Sequence, residues 1–233
     1  MYNDYIGGNM KKVIIVRHGE SVWNSENKFT GWTDVELSKK GKEEAKNAGV
    51  ILKNYKFDVA YTSVLKRAID TLKIILDELN IDIPIKYSYK LNERHYGALQ
   101  GLNKDEMRKK YGEEKVKLWR RSIDVRPPSL TIDDDRYPGN DPKYSGISDL
   151  PLTENLQDTI DRVSEYYEKE IKGQIRDDKS VIIVAHGNSL RALIKYIFNL
   201  SNEDTLNLEI KTGCPICVEF DDDLTPIEYY YVK

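Results

Sequence analysis

Two unalternated aliphatic runs, Val13-Ile14-Ile15-Val16 and Val181-Ile182-Ile183-Val184, punctuate the chain. A strand carries such a run when both of its faces are covered, as in a parallel sheet. Residues 12 to 16 and 181 to 185 are therefore predicted as buried strands, each stopping at a polar segment that contains glycine. Between them the period changes. Ser38 is placed to cap a helix to about residue 53, with Ala45, Ala48, Gly49 and Leu52 on one face. Residues 58 to 62 read as a second short strand. From Ser63 onward, Leu65, Ala68, Ile69, Leu72, Ile75, Leu76 and Leu79 step by threes and fours, the spacing of an amphipathic helix. Residues 84 to 87 make a third strand. Residues 104 to 121 are predicted helical but polar. Residues 122 to 152, with Pro127, Pro128, Pro138, Pro142 and Pro151, read as a long irregular insertion of the kind that usually serves function. A helix from about 153 to 171 would present Leu156, Ile160, Val163, Tyr167 and Ile171 on one side. The next opens at Asn188 or Ser189 and runs through Leu193, Ile194 and Ile197, and 214 to 220 and 227 to 232 follow as strands.

The alternation of strands and helices predicts one α/β domain over residues 10 to 233, a mainly parallel central sheet flanked by helices on both faces. A helical, loop-rich insertion occupies about 92 to 152. Residues 1 to 9 read as an N-terminal extension ahead of Met10. At 233 residues the chain can bury a core without disulfide or metal staples. Thirty-six Lys plus Arg against thirty-nine Asp plus Glu give a formal charge of −3, which disfavours a nucleic-acid partner. The aliphatic runs are far shorter than the ~20 residues of a membrane span. With no basic n-region or apolar h-region at the N-terminus, the cytoplasm is the expected location. Cys214 and Cys217 form a single C-x-x-C without a second ligand pair, and are read as two incidental core-strand cysteines.

Histidine changes the picture. The three in the chain fall in Arg17-His18-Gly19-Glu20, Glu93-Arg94-His95-Tyr96-Gly97 and His186-Gly187-Asn188, and two of them directly follow the buried strands. In open parallel sheets a ligand lies beyond the carboxyl ends of the strands. There a neutral imidazole can attack phosphorus while a second, protonated one stabilises the phosphoryl oxygens. Arg17 and Arg67 supply planar forks for phosphate or carboxylate, and Asn188, with amides at a helix start, adds further donors. The residues by themselves describe an anion-transfer site.

The sequence also resembles the histidine phosphatase superfamily, and within it the cofactor-dependent phosphoglycerate mutases. The resemblance rests on Arg17-His18-Gly19-Glu20-Ser21-x-Trp23-Asn24, Phe29-Thr30-Gly31-Trp32, Tyr61-Thr62-Ser63-Val64-Leu65-Lys66-Arg67-Ala68 and the stretch from Leu91 through Glu93-Arg94-His95-Tyr96-Gly97 to Lys104. It continues in Trp119-Arg120-Arg121, Arg136-Tyr137-Pro138-Gly139 and residues 185 to 193. It implies interconversion of 3-phosphoglycerate and 2-phosphoglycerate, in glycolysis and gluconeogenesis, through a phosphohistidine primed by 2,3-bisphosphoglycerate and without metal. By matching positions, His18 would carry the phosphoryl group, Glu93 would donate and accept the proton at the substrate hydroxyl, and His186 would stabilise the transferring group. Arg17, Asn24, Arg67 and Asn188, with Gly187, would hold that phosphoryl. Ser21, Thr30, Gly31, Arg94, Tyr96, Lys104, Arg120 and Arg121 would hold the second phosphate and the carboxylate, with His95 as a neighbour that orients the loop. Trp23, Trp32 and Trp119 are expected to pack. Competing readings are a phosphatase or bisphosphoglycerate synthase using the same His18, and a binding module without catalysis. Against the last stand His18, Glu93 and His186, which a mere binder would not need. Many relatives in this family close the site with a basic C-terminal tail, whereas this sequence ends at Lys233 soon after its last strand. The expectation is therefore that 122 to 152 closes over the site or that leakage of the intermediate is high. The partners are small-molecule phosphoglycerates, with no membrane; oligomeric state stays open, a homodimer being one option.

Overall fold

The computed structural model describes residues 10–233, so the extension expected over residues 1 to 9 lies outside the described residues. A six-stranded sheet is built from β1 (Lys11–Arg17), β2 (Val59–Thr62), β3 (Ile85–Tyr87), β4 (Val181–Ala185), β5 (Ile216–Phe220) and β6 (Pro226–Tyr231), in the order β3-β2-β4-β1-β5-β6. The first four run parallel. β5 and β6 add antiparallel neighbours at one side. The fold is thus the single α/β domain read from the sequence.

Nine α-helices accompany the strands among the described residues: α1 (Val22–Ser25), α2 (Lys39–Ile51), α3 (Lys66–Leu79), α4 (Lys104–Tyr111), α5 (Glu113–Arg121), α6 (Leu156–Tyr166), α7 (Lys172–Arg176), α8 (Gly187–Phe198) and α9 (Asn202–Asn207). The aliphatic runs lack alternation because both sheet faces are covered. Ile14, Val16, Ile182 and Val184 pack with Ala48 and Leu52 of the α2 region and with Leu72 and Ile75 of α3. Val13, Ile15, Val181 and Ile183 pack with Leu156, Ile160 and Val163 of α6 and Leu190, Leu193 and Ile194 of α8. A separate small core of Phe29, Leu99, Met107, Val116 and Trp119 fixes α4 and α5 to the loop between α1 and α2. Among the described residues no helix is long and apolar enough to cross a membrane.

Several boundaries differ from the sequence expectations. The helix expected over 104 to 121 breaks at Gly112, whose φ of +88° suits glycine and ends the ladder. The helix expected from 153 begins at Leu156, because Asn155 and Asp158 form a reciprocal capping box, and it passes through a π turn at Tyr167–Ile171. That wider turn keeps Tyr167 and Ile171 buried. The helix after β4 opens at Gly187 rather than at Asn188 or Ser189, with His186 at its N-cap and the Ser189 hydroxyl accepting from the His186 amide at 3.0 Å. Cys217 sits buried in β5, but Cys214 precedes that strand and is only half-buried, so it is not a core-strand cysteine; both thiols are free.

Candidate active site

Strand register brings the two histidines together. β1 pairs with β4 in parallel, from Val13 opposite Val181 to Arg17 opposite Ala185, so the next residue on each strand is a histidine. The His18 amide donates to the Ala185 carbonyl at 3.0 Å, and the rings meet edge to face with centroids 5.0 Å apart. Gly19 lets the chain leave β1 against the first turn of α2, where a Cβ would sit 2.1 Å from the Gly41 carbonyl oxygen.

His18 is buried and its Nδ1 lies 2.6 Å from the Gly19 carbonyl oxygen, which can only accept. Nδ1 therefore carries the proton, leaving a lone pair on Nε2, toward which Arg67 Nε donates at 3.3 Å. Burial, and then the charges of Arg67 and Arg17, hold the His18 pKa well below the usual histidine range. The imidazole is neutral at neutral pH, the protonation state of a nucleophile. His186 is held neutral in the same way, by burial first and then by Arg67 and His18. This differs from the protonated second imidazole expected from the sequence: taking the ring out of water beside fixed guanidinium groups disfavours its charged form. Its Nε2 lies 2.7 Å from the Ser63 hydroxyl, and its Nδ1 is buried without a protein partner.

A cavity of about 190 Å³ opens above these strand ends. Arg17, His18, Asn24, Thr30, Gly31, Arg67, Glu93, Tyr96, Lys104, Arg120, Arg121, Gly187 and Asn188 line it, as do Lys28, Phe29 and Arg191. Among the lining residues described, Glu93 is the only carboxylate. The guanidinium groups bond elsewhere: Arg67 donates to the carbonyls of Thr33 and Gly31, Arg17 to that of Ile210, and Arg191 to Leu208 and the Asn188 side chain. Carbonyls leave the positive charge uncompensated, so the cavity favours an anion. Burial pulls the Arg67 and Arg191 pKa values down to about 10, which leaves both charged at neutral pH, and lowers that of Lys104.

Four residues named from the sequence do not line the cavity. Ser21 caps α1, its hydroxyl accepting from the Asn24 amide at 3.2 Å while Asn24 Oδ1 accepts from the Ser21 amide, so its contribution is to aim Asn24. Arg94 is fully buried against the Tyr96 ring and donates to the Tyr96 hydroxyl and the Arg120 carbonyl, with Nε and Nη1 unpartnered. His186 is fully buried beside His18, their rings edge to face. His95 is buried away from the cavity, its Nδ1 accepting from the Gly97 amide and its ring edge-on to Trp32. Lys28 and Arg191 were missed by sequence reasoning, though each lies within or beside a quoted motif. Glu93 projects from a segment without regular structure, and its Oε1 accepts from the Arg94 and Asn188 amides at 2.8 and 3.1 Å.

The 122–152 segment contributes no lining residue. It braces the site loops from behind: Tyr144 stacks on Trp32, with centroids 5.1 Å apart, and accepts from Asn92, while Lys143 pairs with Asp34. Asp34 in turn caps α3 by accepting from the Lys66 amide, a role that Leu65 cannot fill.

His95 yields a stability prediction. Burial first, and then Arg162 and Arg136, push its pKa down to about 3 in the fold, whereas an unfolded histidine titrates near 6.5. This contribution is complete above about pH 6.5 and is lost progressively below it, by about 2 kcal/mol at pH 5. Urea unfolding of His95→Asn at pH 7 and pH 5 should show a loss smaller by that amount than the wild type's. Equal losses would contradict a neutral His95.

The chain matches the family described as Histidine phosphatase superfamily (branch 1) over residues 13–232. Its fold is similar to that of the alpha-ribazole phosphatase from Shigella flexneri, with 18% identity, a TM-score of 0.70 and coverage of 95% of this chain and 96% of that one. A mycobacterial glucosyl-3-phosphoglycerate phosphatase gives 21% identity and a TM-score of 0.69 over 95% and 97% of the two chains. Bacillus stearothermophilus YhfR gives 23% and 0.70 over 90% and 91%. At these identities the likeness is one of fold.

Proposed function

Because this chain belongs to branch 1 of the histidine phosphatase superfamily, we propose that it interconverts 3-phosphoglycerate and 2-phosphoglycerate through a phosphohistidine on His18. The observation that carries this reading is the doubled cation set of the cavity. Arg17 and Arg67 gather at His18, while Lys104, Arg120 and Arg121 line the same cavity with Glu93. A simple monophosphatase needs the first group, and a substrate with a carboxylate besides its phosphate uses both. The unpartnered buried atoms Arg17 Nε and Thr30 Oγ1, both on residues that line the cavity, fit a small polyanion such as 2,3-bisphosphoglycerate. When bound, that primer supplies the phosphoryl group that charges His18.

In this mechanism His18 Nε2 attacks phosphorus as the bond to the sugar-acid oxygen breaks, and the Glu93 carboxyl gives that oxygen its proton. In the return step Glu93 takes the proton from the acceptor hydroxyl while the N–P bond breaks. Arg17, Arg67, Asn24 and Asn188 hold the phosphoryl oxygens, and His186 Nδ1 stabilises the charge that develops there. A hydrolytic reading, with water as acceptor, is favoured by the phosphatase names of proteins that share the fold. Product analysis separates the two. With 3-phosphoglycerate, catalytic 2,3-bisphosphoglycerate and EDTA, 2-phosphoglycerate should accumulate faster than inorganic phosphate, at a rate the chelator leaves unchanged, since the cations in this mechanism are side chains. Phosphate as the sole product, or a tenfold loss restored by divalent metal, would overturn the proposal.

A further inference from the structure

We propose that Arg162 and Glu154, a buried ion pair outside the cavity, are positioning residues for Glu93. The inference rests on the reading of Glu93 as the proton-transfer group. The two side chains are 11% and 4% exposed, and Arg162 Nε donates to Glu154 Oε1 at 2.6 Å while Nη2 donates to Oε2 at 2.9 Å. The remaining N–H groups of the guanidinium go to backbone. Nη1 donates to the carbonyls of Lys90 and Asn92 at 2.8 and 2.9 Å, and Nη2 to that of Glu93 at 2.9 Å. Glu154 completes the grip, its Oε2 accepting from the His95 amide at 2.8 Å and its own amide donating to the His95 carbonyl at 2.9 Å.

Residues 93 to 96 belong to no helix or strand, so no ladder orients their peptides. The pair takes that part, binding carbonyls before and at Glu93 and both backbone groups two residues beyond it. From α6 and the residue before its cap, the pair reaches the backbone behind the cavity without lining it. Trp32 reinforces the clamp, its Nε1 donating to the Glu93 carbonyl at 2.5 Å beneath the Arg162 guanidinium, which lies 5.7 Å above the ring. With the backbone held, Glu93 Oε1 meets the Asn188 amide in the first turn of α8. Proton transfer tolerates little misplacement, and a shift of about 1 Å costs on the order of 10²-fold.

The test uses leaving-group chemistry. An alkyl phosphate needs a proton on its departing oxygen, whereas p-nitrophenyl phosphate releases an already acidic phenol and needs none. Arg162→Lys, which cannot reach three carbonyls, and the double variant Arg162→Met with Glu154→Gln, which leaves no stranded charge, are compared with wild type and Glu93→Gln. Circular dichroism establishes that each is folded. Both clamp variants should lose about 10- to 100-fold in kcat on 3-phosphoglycerate, with KM little changed. Each should still give a near-wild-type single-turnover burst of nitrophenolate. Parallel loss on both substrates, or no loss on either, in the folded variants would overturn the inference while Glu93→Gln keeps its selectivity. A Glu93→Gln enzyme without selectivity would overturn the reading of Glu93 and the inference with it.

Discussion

His18→Ala should abolish phosphoenzyme formation and lower turnover by on the order of 10⁴-fold or more. The expectation follows from geometry as well as identity. His18 is the imidazole whose proton is fixed on Nδ1 by a carbonyl, whose Nε2 lone pair remains available, and which lines the cavity. His186 cannot substitute, because its Nε2 is held against the Ser63 hydroxyl. Mixing the variant with the bisphosphorylated primer and measuring intact mass, alongside the coupled mutase assay, checks both statements. More than a few per cent of wild-type rate in a folded His18→Ala protein would rule out the covalent route. The wild-type rate of His18 phosphorylation should also hold steady as pH falls through the ordinary histidine range, because the neutral form persists well below 6.5. A drop centred near 6.5 would contradict the burial argument.

Glu93→Gln should produce the other large effect and a different signature. The amide keeps an oxygen able to accept from the Arg94 and Asn188 N–H groups, so the loop and cavity are retained. What it removes is the group that gives and takes a proton. Transfer between His18 and a substrate hydroxyl should slow by about 10²- to 10⁴-fold, while His18 remains phosphorylatable by a donor with an acidic leaving group. Rapid-quench measurement of phosphohistidine decay in the presence of monophosphoglycerate reads that step directly. Decay at the wild-type rate would assign the proton to another group.

Much of the architecture was legible because it is written in local periodicity. Of the stripe from Leu65 to Leu79, Leu65, Ala68, Leu72, Ile75 and Leu76 are buried and Ile69 and Leu79 half-buried, and Ser38 caps α2. Where structure and periodicity differ, a cap or a compact turn competes with the hydrophobic pattern. Asn155 set the start of α6, Gly112 split α4 from α5, and α9, capped by Ser201 and with only Thr205 buried, offered no apolar stripe to find. The insertion at 122–152, which the sequence offers as one of two answers to how the site closes, packs through Tyr144 and Lys143 against Trp32 and Asp34.

The chemistry divides in the same way. By itself the sequence determined which groups are available: the strand-end histidines, arginine forks and a lone motif glutamate, all of them local runs of residue types. Only the tertiary structure decided that Arg17 lies opposite Ala185, so that His18 and His186 meet, since register between strands far apart in sequence is a nonlocal packing outcome. It also decided that both rings are neutral, because desolvation depends on what is packed around a group rather than on its sequence neighbours. The same applies to Arg162, whose sequence context marks only an amphipathic helix; its grip on the Glu93 loop exists because α6 lies across residues 90 to 95 in the folded chain.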